Sequence, residues 1–200
     1  MKPPKKKKCA ICKKEYTPKN SLQKVCSPKC AYQWVGKDNE RKARKQAQVQ
    51  RKRYREDKER IKTKPKLTQE AEKEARLYAR LRDKDQPCIS CGRWDWEIED
   101  TFSGGKWDGG HFRGKGACPE LRFHPLNIHK QCKSCNGGSG KFAKKNETVA
   151  KQYEENLRAR IGDKMVDWLK GPHDQQNLIH DELREIKAYY KEQIKLLRSE

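Results

Sequence analysis

Apolar matter is what this 200-residue sequence has least of. Only 32% of it is hydrophobic and 8% aromatic, and no run approaches the roughly 20 apolar residues of a membrane span. One large globule with a deep core is excluded, and one compact metal-stapled domain with charged helical extensions is expected. Negative charge is scarce too: 28 Asp and Glu stand against 49 Lys and Arg, a formal net charge of +21. Such a surplus attracts polyanions. Nucleic acid is the expected partner, because neutralising phosphates releases counterions. A membrane surface is not, since the basic segments lack the apolar helix face that interfacial binding requires. No apolar stretch follows Met1-Lys-Pro-Pro-Lys-Lys-Lys-Lys8, so no export leader is expected and the location expected is cytoplasmic. Nine cysteines would suit disulfides in a secreted chain. Here eight of them fall into close pairs, which predicts metal binding in a reducing compartment.

In chain order, residues 1–35 read as a basic arm and a zinc finger. Cys9-Ala-Ile-Cys12 and Cys26-Ser-Pro-Lys-Cys30 supply four thiolates for one Zn²⁺, with Tyr16, Val25, Tyr32 and Trp34 to cap the site. The spacing leaves open whether this finger is purely structural, contacts DNA or docks a protein. Residues 36–66 are almost wholly charged and biased to Lys and Arg, so a long solvated helix or a partly disordered basic linker is expected, ended by Pro65. Thr68 should cap a second helix over 67–86, with Ala71, Ala75, Tyr78 and Leu81 as its packing stripe.

Residues 87–145 form the expected central domain. Trp94 and Trp96 alternate with charges, Thr101-Phe102 leads to a Ser103-Gly104-Gly105 turn, and Leu121-Arg-Phe123 reads as a second strand. A helix should begin at or after Cys132, so the sum is a β-hairpin and a helix closed by zinc. Residues 146–200 should be helical. Gly162 marks a possible break, and a final helix carries Leu178/Ile179, Leu183, Ile186, Tyr190, Ile194 and Leu197 at a/d-like spacing.

Cys88-Ile-Ser-Cys91 and Cys132-Lys-Ser-Cys135 make a second four-thiolate zinc site. Zinc so closed has no open position to activate water, and it serves as a staple. Any catalysis must use other groups and a further metal. His111 follows two glycines in Trp107-Asp-Gly-Gly-His111-Phe112, and an imidazole can take a proton from water near neutrality. Asp108 is a hard oxygen ligand suited to Mg²⁺ or Mn²⁺. Asn127 can hold a neutral His in one tautomer, and a helix after Cys135 would point Asn136 back to the hairpin. The rival reading makes His111 a structural hairpin residue and Asp108 a turn former. Lys106, Arg113, Lys115, Arg122, Lys130, Lys133 and Lys141 surround this stretch as candidate phosphate contacts.

Gly110-His111, Asn127 and Cys132-Lys-Ser-Cys135-Asn136 resemble the zinc-knuckle form of the HNH (ββα-metal) nuclease motif. Over longer strings, Trp107-Asp-Gly-Gly-His-Phe-Arg113, Pro119-Glu-Leu-Arg-Phe123 and Asn127-Ile-His-Lys-Gln-Cys132-Lys-Ser-Cys-Asn136 resemble the NinG/Rap family of lambdoid phage recombination endonucleases. The resemblance spans nearly the whole chain. It implies an α+β fold: a small ββα-metal domain with an N-terminal finger and long charged helices on both sides. It also implies metal-dependent phosphodiester hydrolysis of branched DNA, such as Holliday junctions and D-loops, in the host cytoplasm. His111 would be the general base and Asn127 the residue orienting its loop. Asp108 and Asn136 would be ligands of a catalytic Mg²⁺ or Mn²⁺, and His129 an additional ligand or phosphate contact. The sequence departs from the generic motif at Gly110, where a metal ligand often precedes the base, and at Asn136, often a His. Symmetric cutting of a four-way junction needs two active sites, so a homodimer is expected, with the final helix as its seam. Phage or host recombination proteins are further candidate partners. Two readings remain beside this one: a non-catalytic zinc-finger protein binding branched or single-stranded DNA, and a recombination adaptor working through its helices.

Overall fold

The computed structural model describes residues 5–99, 105–137 and 143–199, with side chains throughout except at 143–147. The start of the basic arm, Thr101-Phe102, Ser103-Gly104, Gly140 and Lys141 lie outside the described residues. The chain divides into two units, Met1–Lys62 and Thr63–Glu200.

In the first unit, β1 (Lys7–Lys8) and β2 (Glu15–Tyr16) pair antiparallel over a turn that carries Cys9 and Cys12. Ser27 then caps α1 (Pro28–Arg60), its Oγ accepting from the Cys30 amide at 3.3 Å. Pro28 stands in the first turn, where its missing N–H leaves no bond unmade. The helix therefore starts inside the finger and takes Cys30 with it. It runs through Gly36 without a break for about 50 Å to Arg60, so most of the linker expected at 36–66 is helix, and residues 61–63 part it from the next one. Cys30 is its one buried residue. Tyr32, expected to cap the metal site, is 85% exposed, because the helical turn after Cys30 carries it away from the tetrad.

The second unit opens on α2 (Lys64–Arg82). Pro65 does not end a segment; it sits in this helix's first turn, with Thr63 as cap residue. Thr68 is interior, its hydroxyl donating to the Lys64 carbonyl. Leu67, Ala71, Ala75 and Ala79 are buried, and Tyr78 is half-buried beside them. Small side chains let α2 lie close on its neighbours. A Cβ placed on Gly109 would stand 2.9 Å from the Cα and carbonyl oxygen of Arg76.

β3 (Trp107–His111) pairs antiparallel with β4 (Ile128–Cys132), setting Gly110 opposite His129 and His111 opposite Ile128. α3 (Lys133–Asn136) follows at once. The order strand, strand, helix is thus present, but the second strand is not where the sequence suggested. Leu121 belongs to a 3₁₀ turn, Pro119–Leu121, and Pro119 and Pro125 break any strand there. The true strand hides in Ile128-His-Lys-Gln-Cys132, all five residues buried. Trp94 and Trp96 are likewise no strand. Trp94 caps a 3₁₀ turn, Asp95–Glu97, that contains Trp96, and their rings stack with centroids 5.2 Å apart.

α4 (Ala143–Ile161) ends where Gly162 adopts φ 83°, a left-handed value that only glycine takes freely, and α5 (Asp163–Lys170) resumes. Tyr153, Leu157, Val166 and Leu169 of these helices form one core with Ile89, Cys118 and Leu121. Cys118 is a free buried thiol. α6 (His180–Ser199) buries Leu183, Tyr190 and Ile194. Tyr190 packs with Ala75, Ala79 and Ile128, and the Tyr78 ring lies against it, tilted, with centroids 5.4 Å apart. The heptad-like stripe expected as a dimer seam is therefore occupied by α2 of the same chain, since an apolar stripe of that width packs on the nearest complementary face. Among the described residues no helix is long and apolar enough to cross a membrane.

Candidate active site

Both cysteine tetrads close. The sulfurs of Cys9, Cys12, Cys26 and Cys30 lie within 4.8 Å of one another, as do those of Cys88, Cys91, Cys132 and Cys135. Tetrahedral zinc with Zn–S of about 2.3 Å has sulfurs about 3.8 Å apart. The separations Cys12–Cys26 (3.5 Å), Cys88–Cys132 (3.6 Å) and Cys91–Cys132 (3.8 Å) fit that edge. Hydrogen bonds from Cys135 and Cys88 hold the Cys132 thiol far below its ordinary pKa. The second tetrad ties the Cys88–Cys91 turn to the junction of β4 and α3, and so fixes what those elements carry.

His111 ends β3. Its Nε2 lies 2.9 Å from the Arg122 carbonyl oxygen. A carbonyl only accepts, so Nε2 carries the proton and Nδ1 holds the lone pair. Nδ1 has no hydrogen-bond partner among the described residues. Burial pushes the His111 pKa down, the Arg122 carbonyl opposes this, and the Arg76 cation pushes it down further. The imidazole is neutral and able to accept a proton.

Asn127 is fully buried and clamps the loop that presents His111. Its Oδ1 accepts from the Arg113 amide at 2.7 Å, while Nδ2 donates to the carbonyls of Arg113 (3.1 Å) and Leu121 (3.0 Å). The Asn127 carbonyl accepts from the Phe112 amide at 2.8 Å. One side chain thus fixes both the residues after His111 and the residue before the carbonyl that holds its ring.

Asn136 comes back from α3 to Asp108 of β3, with Nδ2 and Oδ2 3.0 Å apart. Two oxygens bound cis on octahedral Mg²⁺ at about 2.1 Å are about 3.0 Å apart. A half-turn of the Asn136 amide presents its oxygen at that spacing, so the pair fits a hard divalent cation. His111, Arg113, Gln131 and Asn136 line a cleft of about 480 Å³ that α4 closes with Lys151 and Tyr153. Asp108 faces the adjoining cleft of about 320 Å³, where α2 supplies Glu72, Arg76 and Arg80. The Asp108–Asn136 contact joins the two.

His129 does not join them. It is 1% exposed, its Nε2 meets the Leu126 carbonyl at 3.1 Å, and its Nδ1 lies 3.0 Å from Arg82 and 3.3 Å from Asp83. Both ring nitrogens are engaged in the core behind β4, which rules out a ligand or phosphate role. Lys130 is corrected likewise. It is 4% exposed, its ammonium donating to the Lys84 carbonyl at 2.8 Å and lying 4.2 Å over the Trp107 ring. Of the other candidate cations, Lys115 pairs with Glu72 at 2.7 Å and Lys106 reaches the Asp95 carbonyl at 3.1 Å. Arg122 donates to the Lys115 carbonyl. Lys133 lines a separate cleft of mixed charge with Arg93, Lys106, Glu97 and Glu99. Arg113, on the His111 cleft, keeps its buried Nε without a hydrogen-bond partner among the described residues.

Sequence reasoning missed the contributions of α2 and α4. Glu72, Arg76 and Arg80 recur every four residues beside the alanine stripe, which was a readable signal. Tyr153, whose hydroxyl donates to the Gly110 carbonyl at 3.0 Å, looked like any core aromatic. The Arg122 carbonyl is backbone and leaves no trace in sequence.

A family described as "Bacteriophage Lambda NinG protein" matches residues 1–200. The chain is 33% identical to Protein ninG of Escherichia phage 933W over 212 residues, covering 100% of this chain and 97% of that protein. It is 37% identical to Protein ninG of Escherichia phage lambda over 131 residues, 65% of this chain and 56% of that protein. The value for Protein ninG of Salmonella phage P22 is 37% over 130 residues, 64% and 56%. No solved structure matches.

Proposed function

From the premise that this chain belongs to the NinG family, we propose that it is a metal-dependent endonuclease of HNH type that cuts branched DNA. The observation that carries the reading is the fixed tautomer of His111. Nε2–H is committed to the Arg122 carbonyl, and Nδ1 is left as a base on a ring that lines one cleft with Asn136, itself in contact with Asp108. Water attacks the phosphorus, His111 Nδ1 takes the proton, and the bond to the leaving sugar oxygen breaks, that oxygen taking its proton from solvent. Asp108 and Asn136 would hold a Mg²⁺ or Mn²⁺, which when bound supplies positive charge at the phosphate. Arg113, with a buried Nε lacking a partner among the described residues, suits a phosphate oxygen in the same cleft.

α4, which closes the His111 cleft, brings Val149, Ala150, Lys151, Tyr153 and Glu154 there rather than a row of Asn, Gln and Arg to read bases, so the substrate feature read is branched shape rather than sequence. Symmetric resolution of a four-way junction needs two such sites, which makes a homodimer part of the reading. The test is cleavage of a synthetic four-way junction with Mg²⁺, Mn²⁺ or EDTA. Cutting should require metal and should fall about 10²–10⁴-fold in His111→Ala, with binding kept. Absence of cutting on every branched substrate with either metal would leave a binding protein and end the enzymatic reading.

A further inference from the structure

We infer that α1 is a second, separate DNA-binding element, which carries a duplex arm of the substrate along one face. At 3.6 residues per turn, Lys37, Arg41, Arg44, Arg51, Lys52 and Arg55 fall within about 100° of the helix circumference. The other residue in that sector between 37 and 55 is Gln48, so the face holds no acid. The opposite 100° carries Asn39, Ala43, Gln46 and Gln50 with only two cations, Lys42 and Arg53. From Lys37 to Arg55 the stripe rises over 18 steps, about 27 Å, or the length of about eight base pairs.

All six cations are exposed. Arg41 pairs with Asp38 and Lys52 approaches Glu56 at 3.8 Å. Lys37, Arg44, Arg51 and Arg55 have no carboxylate partner among the described residues. Like charges three and four residues apart weaken an isolated helix. A helix adapted only for solubility would intersperse acids on that face, as this one does near its end with Glu56, Asp57 and Glu59. A rod of phosphates offsets the repulsion, and the stripe is straight enough to follow a duplex backbone. An anionic membrane is the poorer fit, because outside the stripe residues 37–55 offer only Ala43, Ala47, Val49 and Tyr54 rather than an apolar band. The inference rests on DNA being the substrate, but not on any step of its hydrolysis.

The experiment uses two full-length variants of equal charge. One carries Lys37→Gln, Arg44→Gln, Arg51→Gln and Arg55→Gln on the stripe. The other carries Lys42→Gln, Arg53→Gln, Lys58→Gln and Arg60→Gln off it. Helix content is checked by circular dichroism. Binding to a 30-base-pair duplex and to a four-way junction is then measured in EDTA across a salt series. The stripe variant should lower the slope of log K against log salt by roughly 3 to 4, at about 0.9 per phosphate released, and the control by less than about 1. Equal losses in the two variants, or none in either, would overturn the inference. So would a stripe variant that loses anionic vesicles but keeps DNA. Metal-dependent cutting that survives in the stripe variant at low salt separates failure here from failure of the nuclease reading.

Discussion

Replacing Asn127 by Ala tests the architecture of the site without reference to any activity. The side chain is fully buried and makes three hydrogen bonds to backbone: one from the Arg113 amide and two to the Arg113 and Leu121 carbonyls. Truncation leaves one buried N–H with no partner, at about 1–3 kcal/mol, and two carbonyls under-satisfied at somewhat less each. The sum is about 3–5 kcal/mol, against a typical domain stability of about 5–15 kcal/mol. For a unit of this size that lowers Tm on the order of 10–20 °C. Asn127→Asp sharpens the test. It keeps the acceptor for the Arg113 amide but sets a carboxylate against two carbonyl oxygens, so it should be no more stable than the Ala variant. Urea unfolding of the zinc-loaded protein measures both. A loss below about 1 kcal/mol in Asn127→Ala, or a native-like Asn127→Asp, would refute the clamp. The Arg122 carbonyl that fixes the His111 tautomer follows directly on Leu121, so any cutting activity should fall with the loosened loop.

Acid should destabilise the second unit in a defined window. Burial holds the pKa of both His111 and His129 below the ordinary value near 6.5. Below that pH the unfolded chain binds protons that the folded one does not, so stability should rise with pH up to about 6.5 and then level, as read by unfolding midpoints between pH 4.5 and 8. Cutting should follow the same direction, being lost only as His111 protonates below its lowered pKa. Cys132→Ser opens the second tetrad and leaves three thiolates, so it should release one equivalent of zinc and unfold the ββα segment while leaving α1 helical, as seen by metal analysis and circular dichroism.

The two cysteine tetrads and the glycine-flanked histidine were legible because their signals are local. Cys-x-x-Cys spacing survives any fold, and His111 stands out behind two glycines. Asn127 and Asn136 were readable as a pattern, and the structure puts one under the His111 loop and the other against Asp108. β4 was illegible for a physical reason. Its buried His129, Lys130 and Gln131 are satisfied by Asp83, the Lys84 carbonyl and Ser90, partners 41–46 residues away that hydrophobic periodicity cannot see. Pro65 misled because proline marks both the end of one helix and the first turn of the next. The α6 stripe was read correctly as apolar, but its partner, α2 of the same chain, could only be found in three dimensions.

Gly110 marks where the generic nuclease motif often carries a metal ligand, and its environment says why a ligand is not simply restorable. A Cβ there would stand 1.9 Å from Oε1 and 2.8 Å from Cδ of Gln131. Gln131 is held in place by its own bond to Ser90, 2.7 Å away. Gly110→Asp should therefore destabilise the protein by about 2–4 kcal/mol, through overpacking and a broken buried hydrogen bond, instead of strengthening metal binding. The obstacle is a side chain, so it is removable. Gln131→Ala frees the space, and Gly110→Asp added to it should cost less than about 1 kcal/mol more, a coupling of about 1–3 kcal/mol in a double-mutant cycle. Gly109→Ala gives the contrast. Its Cβ would meet the Arg76 backbone at 2.9 Å, α2 itself would have to move, and no second substitution at Arg76 should rescue it. If Gly110→Asp is as damaging in the Gln131→Ala background as alone, the glycine answers to something other than Gln131. If the double variant instead folds and binds Mn²⁺ more tightly than wild type, then Gly110 sits at the metal, and Asp108 reaches in from two residues back because Gln131 holds the nearer position.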